Sequence, residues 1–284
     1  MGLFGKLFDR KECSICGGEI GLLGNRKLED GNLCKVCAKK LSPWFDDRRH
    51  STVEQIAEQL EYRERNKEKV AAFSVTRVLG ESTKILLDED AGVFMVTDAR
   101  NYVEENPDVL AFSDVTGCNL DIDEDRTEIT RTNAEGEAIS YNPPRYQYDY
   151  DFYMVIHVNN PYFNEIRFKL NNSRVLIEDN GGMRNMGMNR NAGFGVSKGG
   201  ININFGGMGN FGGQMNPEQD VDFRRYREMG EEIKEALMQV RQKAREEMAA
   251  ASMPKAAVTC PFCGATTTPD ANGCCEFCGG AVGR

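Results

Sequence analysis

Eight of the ten cysteines in this 284-residue chain fall into four C-x2-C pairs, grouped two by two near its ends. Thiolates two residues apart can both reach one tetrahedral ion about 2.3 Å away when the backbone closes into a tight knuckle, and a second pair completes the coordination sphere. The first set is Cys13, Cys16, Cys34 and Cys37; the second is Cys260, Cys263, Cys275 and Cys278. Each is expected to hold one structural Zn²⁺, giving two per chain. Fewer than about 40 residues surround either set, too few to sustain a core unaided, whereas bound zinc contributes on the order of 10 kcal/mol of folding free energy.

Other uses of cysteine fit less well. A redox dithiol usually stands alone at a helix start in a βαβ context. Catalytic zinc keeps an open position and usually takes His or carboxylate ligands. Iron in a rubredoxin-like site satisfies the same four-thiolate geometry, although zinc is the better assignment. Cys274 is surplus, because Cys275 forms the C-x2-C pair with Cys278, and Cys118 shares strand parity with Leu120 and Ile122 as a core thiol.

The sequence around each set suggests its local fold. Gly17 and Gly18 follow the first pair, an Asp30-Gly31 turn lies between apolar flanks, and a short helix after Cys37 is stopped by Ser42-Pro43. Residues 1–50 thus read as a treble-clef-like zinc module. In residues 253–284 both pairs carry Phe before the second Cys and Gly after it, as in a two-knuckle zinc ribbon.

Between them, Ser51-Thr52-Val53-Glu54 has the form of a capping box for a connecting helix over 51–72, with Val53, Ile56 and Leu60 on one face. Residues 73–178 read as a mostly antiparallel β domain. Ile85–Leu87 and Val93–Val96 flank an acidic turn, and Tyr148, Tyr150, Phe152, Met154, Ile156 and Val158 alternate with polar residues. A Gly/Asn/Met-rich linker over 179–216 contains Gly207-Met208-Gly209-Asn210-Phe211-Gly212, a chance match to a dinucleotide fingerprint without strand-turn-helix context. An amphipathic helix over 217–252 follows, with Asn216 as cap, Pro217 at the first helical position, and a stripe of Tyr226, Met229, Ile233, Leu237, Val240, Ala244 and Met248. That stripe either packs on the β domain or pairs with another helix in self-association. The fold class expected is α+β and multi-module.

No catalytic constellation emerges. The two histidines, His50 and His157, form no triad or acid-base pair with a Ser or Cys nucleophile that the sequence supports, so the chain reads as non-enzymatic. Asp121, Asp123 and Asp125 imitate the opening of a calcium loop, yet Arg126 replaces its glycine and Thr132 its bidentate Glu. No run approaches the roughly 18 apolar residues of a membrane span, and the apolar stretch within residues 1–8 is too short for a secretory leader; the expectation is a cytoplasmic protein.

The runs Gly21-Leu22-Leu23-Gly24-Asn25-Arg26-Lys27-Leu28 and Leu41-Ser42-Pro43-Trp44-Phe45 around the first cysteines resemble a bacterial domain-of-unknown-function family typical of Gram-positive anaerobes. The likeness extends more loosely through Pro161-Tyr162-Phe163 and Arg167-Phe168-Lys169-Leu170 to the terminal ribbon. It implies architecture and cysteine ligation, and no activity. The central region is also similar to bacterial pleckstrin-homology-like domains, which implies binding of proteins or membranes.

Modularity without catalytic chemistry points to an adaptor that recruits protein partners. A net charge of -9 opposes general nucleic-acid binding, leaving only the local cluster Lys35, Lys39, Lys40, Arg48 and Arg49 as a route to a transcription-associated role. Leu3, Phe4, Leu7 and Phe8, flanked by Lys6, Arg10 and Lys11, offer attachment to a membrane surface.

Overall fold

The computed structural model describes residues 11–179, 216–252, 257–270 and 272–282. Residues 1–10 and the dinucleotide-like run of the linker lie outside them. The chain divides into two compact units, Met1–Val240 and Arg241–Arg284.

The first unit begins with two small antiparallel pairs, β1 (Lys11–Glu12) with β2 (Glu19–Ile20) and β3 (Arg26–Lys27) with β4 (Asn32–Leu33), followed by α1 (Lys35–Ala38). After a 3-10 turn over Asp47–His50 comes α2 (Val53–Ala72). Its cap is Thr52, one residue later than the sequence suggested: the Thr52 side chain accepts from the Gln55 amide, and the Gln55 side chain accepts from the Thr52 amide. Ser51 is unavailable because its hydroxyl donates to the Asp47 carbonyl and closes the preceding turn.

The face of α2 that packs inward differs from the expected apolar stripe. Ile56, Gln59, Arg63, Asn66 and Val70 are its buried residues, three or four positions apart, and the middle three are polar. The helix joins two cores. Ile56, with Val53 and Leu60 beside it, packs into the cysteine module against Leu28, Leu33 and Leu41. Val70, with Phe73 just past the helix end, packs with Leu86, Met95 and Val109 of the β domain.

At the junction of those cores lies a buried polar cluster. Arg63 Nη1 donates to Asp108 Oδ1 at 2.7 Å, Arg63 Nη2 to the Asn106 carbonyl, and Ser42 Oγ to Asp108 Oδ2 at 2.7 Å. Asn66 donates to the Pro107 carbonyl at 2.7 Å and accepts from the Val109 amide at 3.0 Å. Asn106 holds a left-handed conformation, φ 55°, stopping α3 (Tyr102–Glu105) and turning these carbonyls inward. Burial pushes Asp108 up, against the pull of Arg63 and Ser42. Such a pair contributes little net stability but costs about 3–5 kcal/mol to break from one side, since a charge is then left buried alone.

Two four-stranded antiparallel sheets follow. The first runs β5 (Arg77–Leu79), β6 (Lys84–Asp88), β7 (Val93–Thr97), β8 (Leu110–Ala111) in spatial order. In the second, β10 (Ala138–Val158) is central: β9 (Val115–Thr132) pairs along one edge, while β11 (Glu165–Lys169) and β12 (Val175–Asp179) share the other end to end. Buried Asn171 fills the gap between those two strands, accepting from the Phe152 amide at 2.8 Å and donating to the Tyr150 carbonyl at 3.2 Å. A side chain thereby completes the hydrogen bonding of β10 where no neighbouring strand reaches it.

After a 3-10 turn over Pro217–Gln219 that Asn216 caps, α4 (Val221–Ser252) begins, and Asp220 accepts from the Asp222 and Phe223 amides at 3.0 and 3.1 Å. Pro217 therefore opens the 3-10 turn and not the α-helix. The front half of α4 packs on the second sheet: Phe223 lies edge-on to Tyr150 and Phe152, at 4.9 and 5.1 Å between centroids. Gly230 is required there, because a Cβ would stand 2.5 Å from a Leu120 methyl. The stripe expected to continue to Met248 is spent earlier; Met248 is 61% exposed. In the second unit, β13 (Val258–Thr259) pairs with β14 (Thr266–Thr267).

No described helix is long and apolar enough to cross a membrane.

Candidate metal centres

Three of the four C-x2-C pairs fold by one local rule. The Cys13 amide donates to the Gly18 carbonyl and the Gly17 amide to the Cys13 carbonyl; Cys260 repeats this with Ala265 and Gly264, and Cys275 with Gly280 and Gly279. The closing residue needs positive φ, supplied by Gly17 (69°), Gly264 (72°) and Gly279 (71°). Gly18 does not share that conformation. Cys34–Cys37 is different: Cys34 caps α1, its sulfur accepting from the Cys37 amide at 3.3 Å.

The hairpin between the N-terminal pairs holds them in register. The Ser14 amide donates to the Asn32 carbonyl at 2.8 Å, the Asn32 amide donates to the Ser14 hydroxyl at 3.1 Å, and the Cys34 amide donates to Cys13 Sγ at 3.3 Å. Gly31 lies so close to Ser14 and Val53 that a Cβ would come within 2.5 Å of the Val53 side chain. Asp30 Oδ1 accepts from the Val53 amide at 2.8 Å, tying the same turn to the start of α2.

These constraints bring Cys13, Cys16, Cys34 and Cys37 together, and separately Cys260, Cys263, Cys275 and Cys278; within each set all four sulfurs lie within 4.8 Å of one another. The closer pairs are Cys16–Cys34 at 3.8 Å, Cys260–Cys278 at 3.5 Å and Cys263–Cys275 at 3.7 Å. A tetrahedron with metal–sulfur bonds of about 2.3 Å has edges of about 3.8 Å, so the spacing fits a four-thiolate ion. Each cluster could hold one metal ion.

The protonation pattern is that of a site waiting for positive charge. Burial pushes Cys13 up, but the amides of Cys16, Cys34 and Ile15 outweigh it and bring the thiol down to about 6. Burial and the neighbouring sulfurs hold Cys37 well above the ordinary thiol range. The second set repeats the split. Against burial, the amides of Phe277 and Cys278 bring Cys275 down to about 7; although the Gly280 amide favours its thiolate, Cys278 is pushed up to about 12 by the sulfurs of Cys260 and Cys263. The first proton of each set leaves easily and the last resists until a dication compensates the accumulated charge.

Cys274 and Cys118 stand outside both clusters. The Cys274 sulfur points to the Asn272 carbonyl at 3.9 Å, and Cys118 is buried opposite Ile156, where desolvation pushes it up to about 12. His50 is exposed and paired with Asp47 at 2.7 Å, and His157 faces Glu165 across the sheet at 3.8 Å. Asp121, Asp123 and Asp125 lie on strand β9, where Arg167 reaches Asp121 and Asp123 and Arg174 reaches Asp125. The arginines supply the positive charge that a calcium ion would otherwise bring.

The basic cluster anticipated from sequence is partitioned. Lys40 lies within electrostatic reach of Glu64 on α2, whereas Arg48 and Arg49 gather with Arg26, a residue the linear spacing did not pick out.

Residues 11–59 match the family model of a domain of unknown function (DUF4428), a span running from the first knuckle into α2. Comparison with curated proteins and with solved structures gives no match.

Proposed function

We propose that this protein is a non-enzymatic, zinc-stapled adaptor of the bacterial cytoplasm that recruits protein partners. The observation that carries this reading is the placement of Phe262 and Phe277. They occupy equivalent positions in the two C-terminal knuckles and are 71% and 70% exposed. A ribbon this small that turns its two largest apolar side chains outward presents rigid contact area at low entropic cost, as interface anchors do. The closed four-thiolate geometry favours zinc as a structural ion and leaves no coordination position for a substrate.

Elemental analysis of protein purified under reducing conditions should find two zinc ions per chain; iron in their place would overturn the metal assignment. A photocrosslinker at position 262 or 277 should give discrete protein adducts in the native host, lost when Cys263→Ser removes the ribbon's metal. Absence of adducts from both positions would overturn the adaptor reading, as would turnover of a small-molecule substrate.

A second reading, nucleic-acid binding, draws support from Arg26, Arg48 and Arg49, which lie together with no carboxylate in ion-pair contact among the described residues. A mobility-shift titration at low salt tests it, because phosphate-driven binding must weaken steeply as salt rises.

A further inference from the structure

Beside the C-terminal half of α2 lies a cleft of about 550 Å³. Three elements wall it: α2 with Phe73 just beyond its end, the edge strand β8, and the turn over residues 159–161 that joins β10 to β11. Its place follows from where the first sheet stops. Among the described residues β8 pairs with β7 alone. On its open side, Asn66 and Asp114 side chains accept from the Val109 and Ala111 amides at 3.0 and 3.1 Å. An edge whose donors are already taken is blunted against a further strand, which leaves the space beside it to something smaller.

The walls are fixed in advance. Asn160 Nδ2 donates to the Tyr62 hydroxyl at 3.2 Å, the Tyr62 and Tyr162 rings lie 4.9 Å apart, and the Asn159 amide donates to the Asp114 carbonyl at 2.7 Å. Buried Asp88 accepts from the Ser74 and Ala91 amides at 2.8 and 3.0 Å, which anchors the acidic turn. A preformed, mostly apolar concavity with a few polar groups is the form that small-molecule sites take.

Charge selects the ligand. Lys69, Asp88 and Asp114 are the charged residues lining the cleft. Around them, Glu89 and Asp90 follow Asp88 in its turn, Glu58 and Glu61 with Arg65 act on Tyr162, and Asp108 with Arg63 acts on Tyr62. Carboxylates outnumber cations in this set, so the cleft favours positive charge. Asp88 has both oxygens engaged. Asp114 gives Oδ2 to Ala111 and leaves Oδ1 without a described partner. Burial pushes the Tyr62 hydroxyl up to about 12, so it stays protonated and its ring adds aromatic surface without a negative charge. Lys69 is exposed, makes no ion pair among the described residues, and would repel a second cation.

We propose that this cleft binds a small organic amine, its ammonium group on Asp114 Oδ1 and its apolar body against Phe73, Val93 and Val109. The site is separate from both cysteine sets and from the exposed phenylalanines of the ribbon.

Titration of the full chain with phenethylamine, and separately with hydrocinnamate, followed by amide NMR and calorimetry, tests the idea. The amine should bind saturably and shift the amides of Ala91, Val109 and Ala111, whereas the carboxylate of similar shape should not bind. Asp114→Asn keeps an acceptor for the Ala111 amide while removing the charge, so amine affinity should fall on the order of tenfold, the worth of one charge-assisted hydrogen bond. Lys69→Met should raise it by removing the competing cation. Ala72→Trp, which fills the cleft from the exposed last turn of α2 without altering charge, should abolish it. The proposal is overturned if the amine does not saturate, if hydrocinnamate binds as tightly, or if Lys69→Met weakens amine binding. That last variant decides the sign of the ligand's charge even where Asp114→Asn loosens the turn, because Lys69 is exposed and unpaired.

Discussion

The two cysteine modules use the same four-thiolate geometry and differ in what else holds them. The C-terminal one consists of two equivalent knuckles, and among its described residues those buried are Cys260, Cys275 and Thr267. Apart from the ligands, its described residues form no apolar core. The N-terminal one combines a knuckle with a helix start and encloses Leu28, Leu33, Leu41 and Ile56, all buried. It is also fastened to the β domain through Ser42, Asp108 and Arg63. An identical coordination sphere can therefore be the whole reason one module folds and only part of the reason for another.

Metal removal sharpens the contrast most. Cys263→Ser should lose one metal ion and about 10 kcal/mol of binding free energy, leaving the amides of residues 257–282 to exchange at unfolded rates. Cys16→Ser should also lose one ion, yet amides around Leu28, Leu33 and Ile56 should keep measurable protection. Equal loss of protection in the two variants would refute the distinction.

The polar cluster gives the next largest effect. Asp108→Ala leaves Arg63 buried without its partner and should cost about 3–5 kcal/mol. Trp44, the only tryptophan, donates its amide to Ser42 Oγ at 3.2 Å beside this cluster and reports on it by fluorescence. In the wild type its unfolding transition should coincide with that of the sheet by circular dichroism, and in Asp108→Ala the two should separate. Coincident transitions in the variant would mean that other contacts couple the module to the sheet.

Within the β domain, Asn171→Ala strips the Phe152 amide and the Tyr150 carbonyl of a partner and should lower stability by about 1–3 kcal/mol in urea titration. Smallest of all, Cys274→Ser should leave metal content and stability unchanged. Cys118→Ser should keep both ions while costing about 1–3 kcal/mol for a buried hydroxyl. Loss of metal from the Cys274 variant, with retention in a Cys275→Ser variant, would reverse the ligand assignment.

The metal sets and knuckle glycines were legible because C-x2-C-G is a local rule: the backbone hydrogen bonds that close a knuckle reach no further than five positions along the chain. The same holds for the hairpin around Asp88–Gly92 and for the parity that put Cys118 in the core. Caps were displaced where a neighbouring turn had already claimed the residue, as Ser51 serves Asp47 and Asn216 serves Glu218. Arg63, Asn66, Asn106 and Asp108 stayed hidden because charged and amide residues on a helix face read as solvated until partners some 40 positions away are brought opposite them.

Asn171 belongs to that second class, since nothing in its neighbourhood announces that two strands will share one edge of β10 and leave a gap. Gly230 does too, its need set by a leucine from another strand. By itself, then, the sequence determined where metal-ligating residues gather and which segments form helices and strands, because those depend on spacing within a turn or along a strand. Only the tertiary structure decided which polar residues are buried and which apolar side chains are left in water. Burial is a property of what packs against a residue, and the local chain does not encode it.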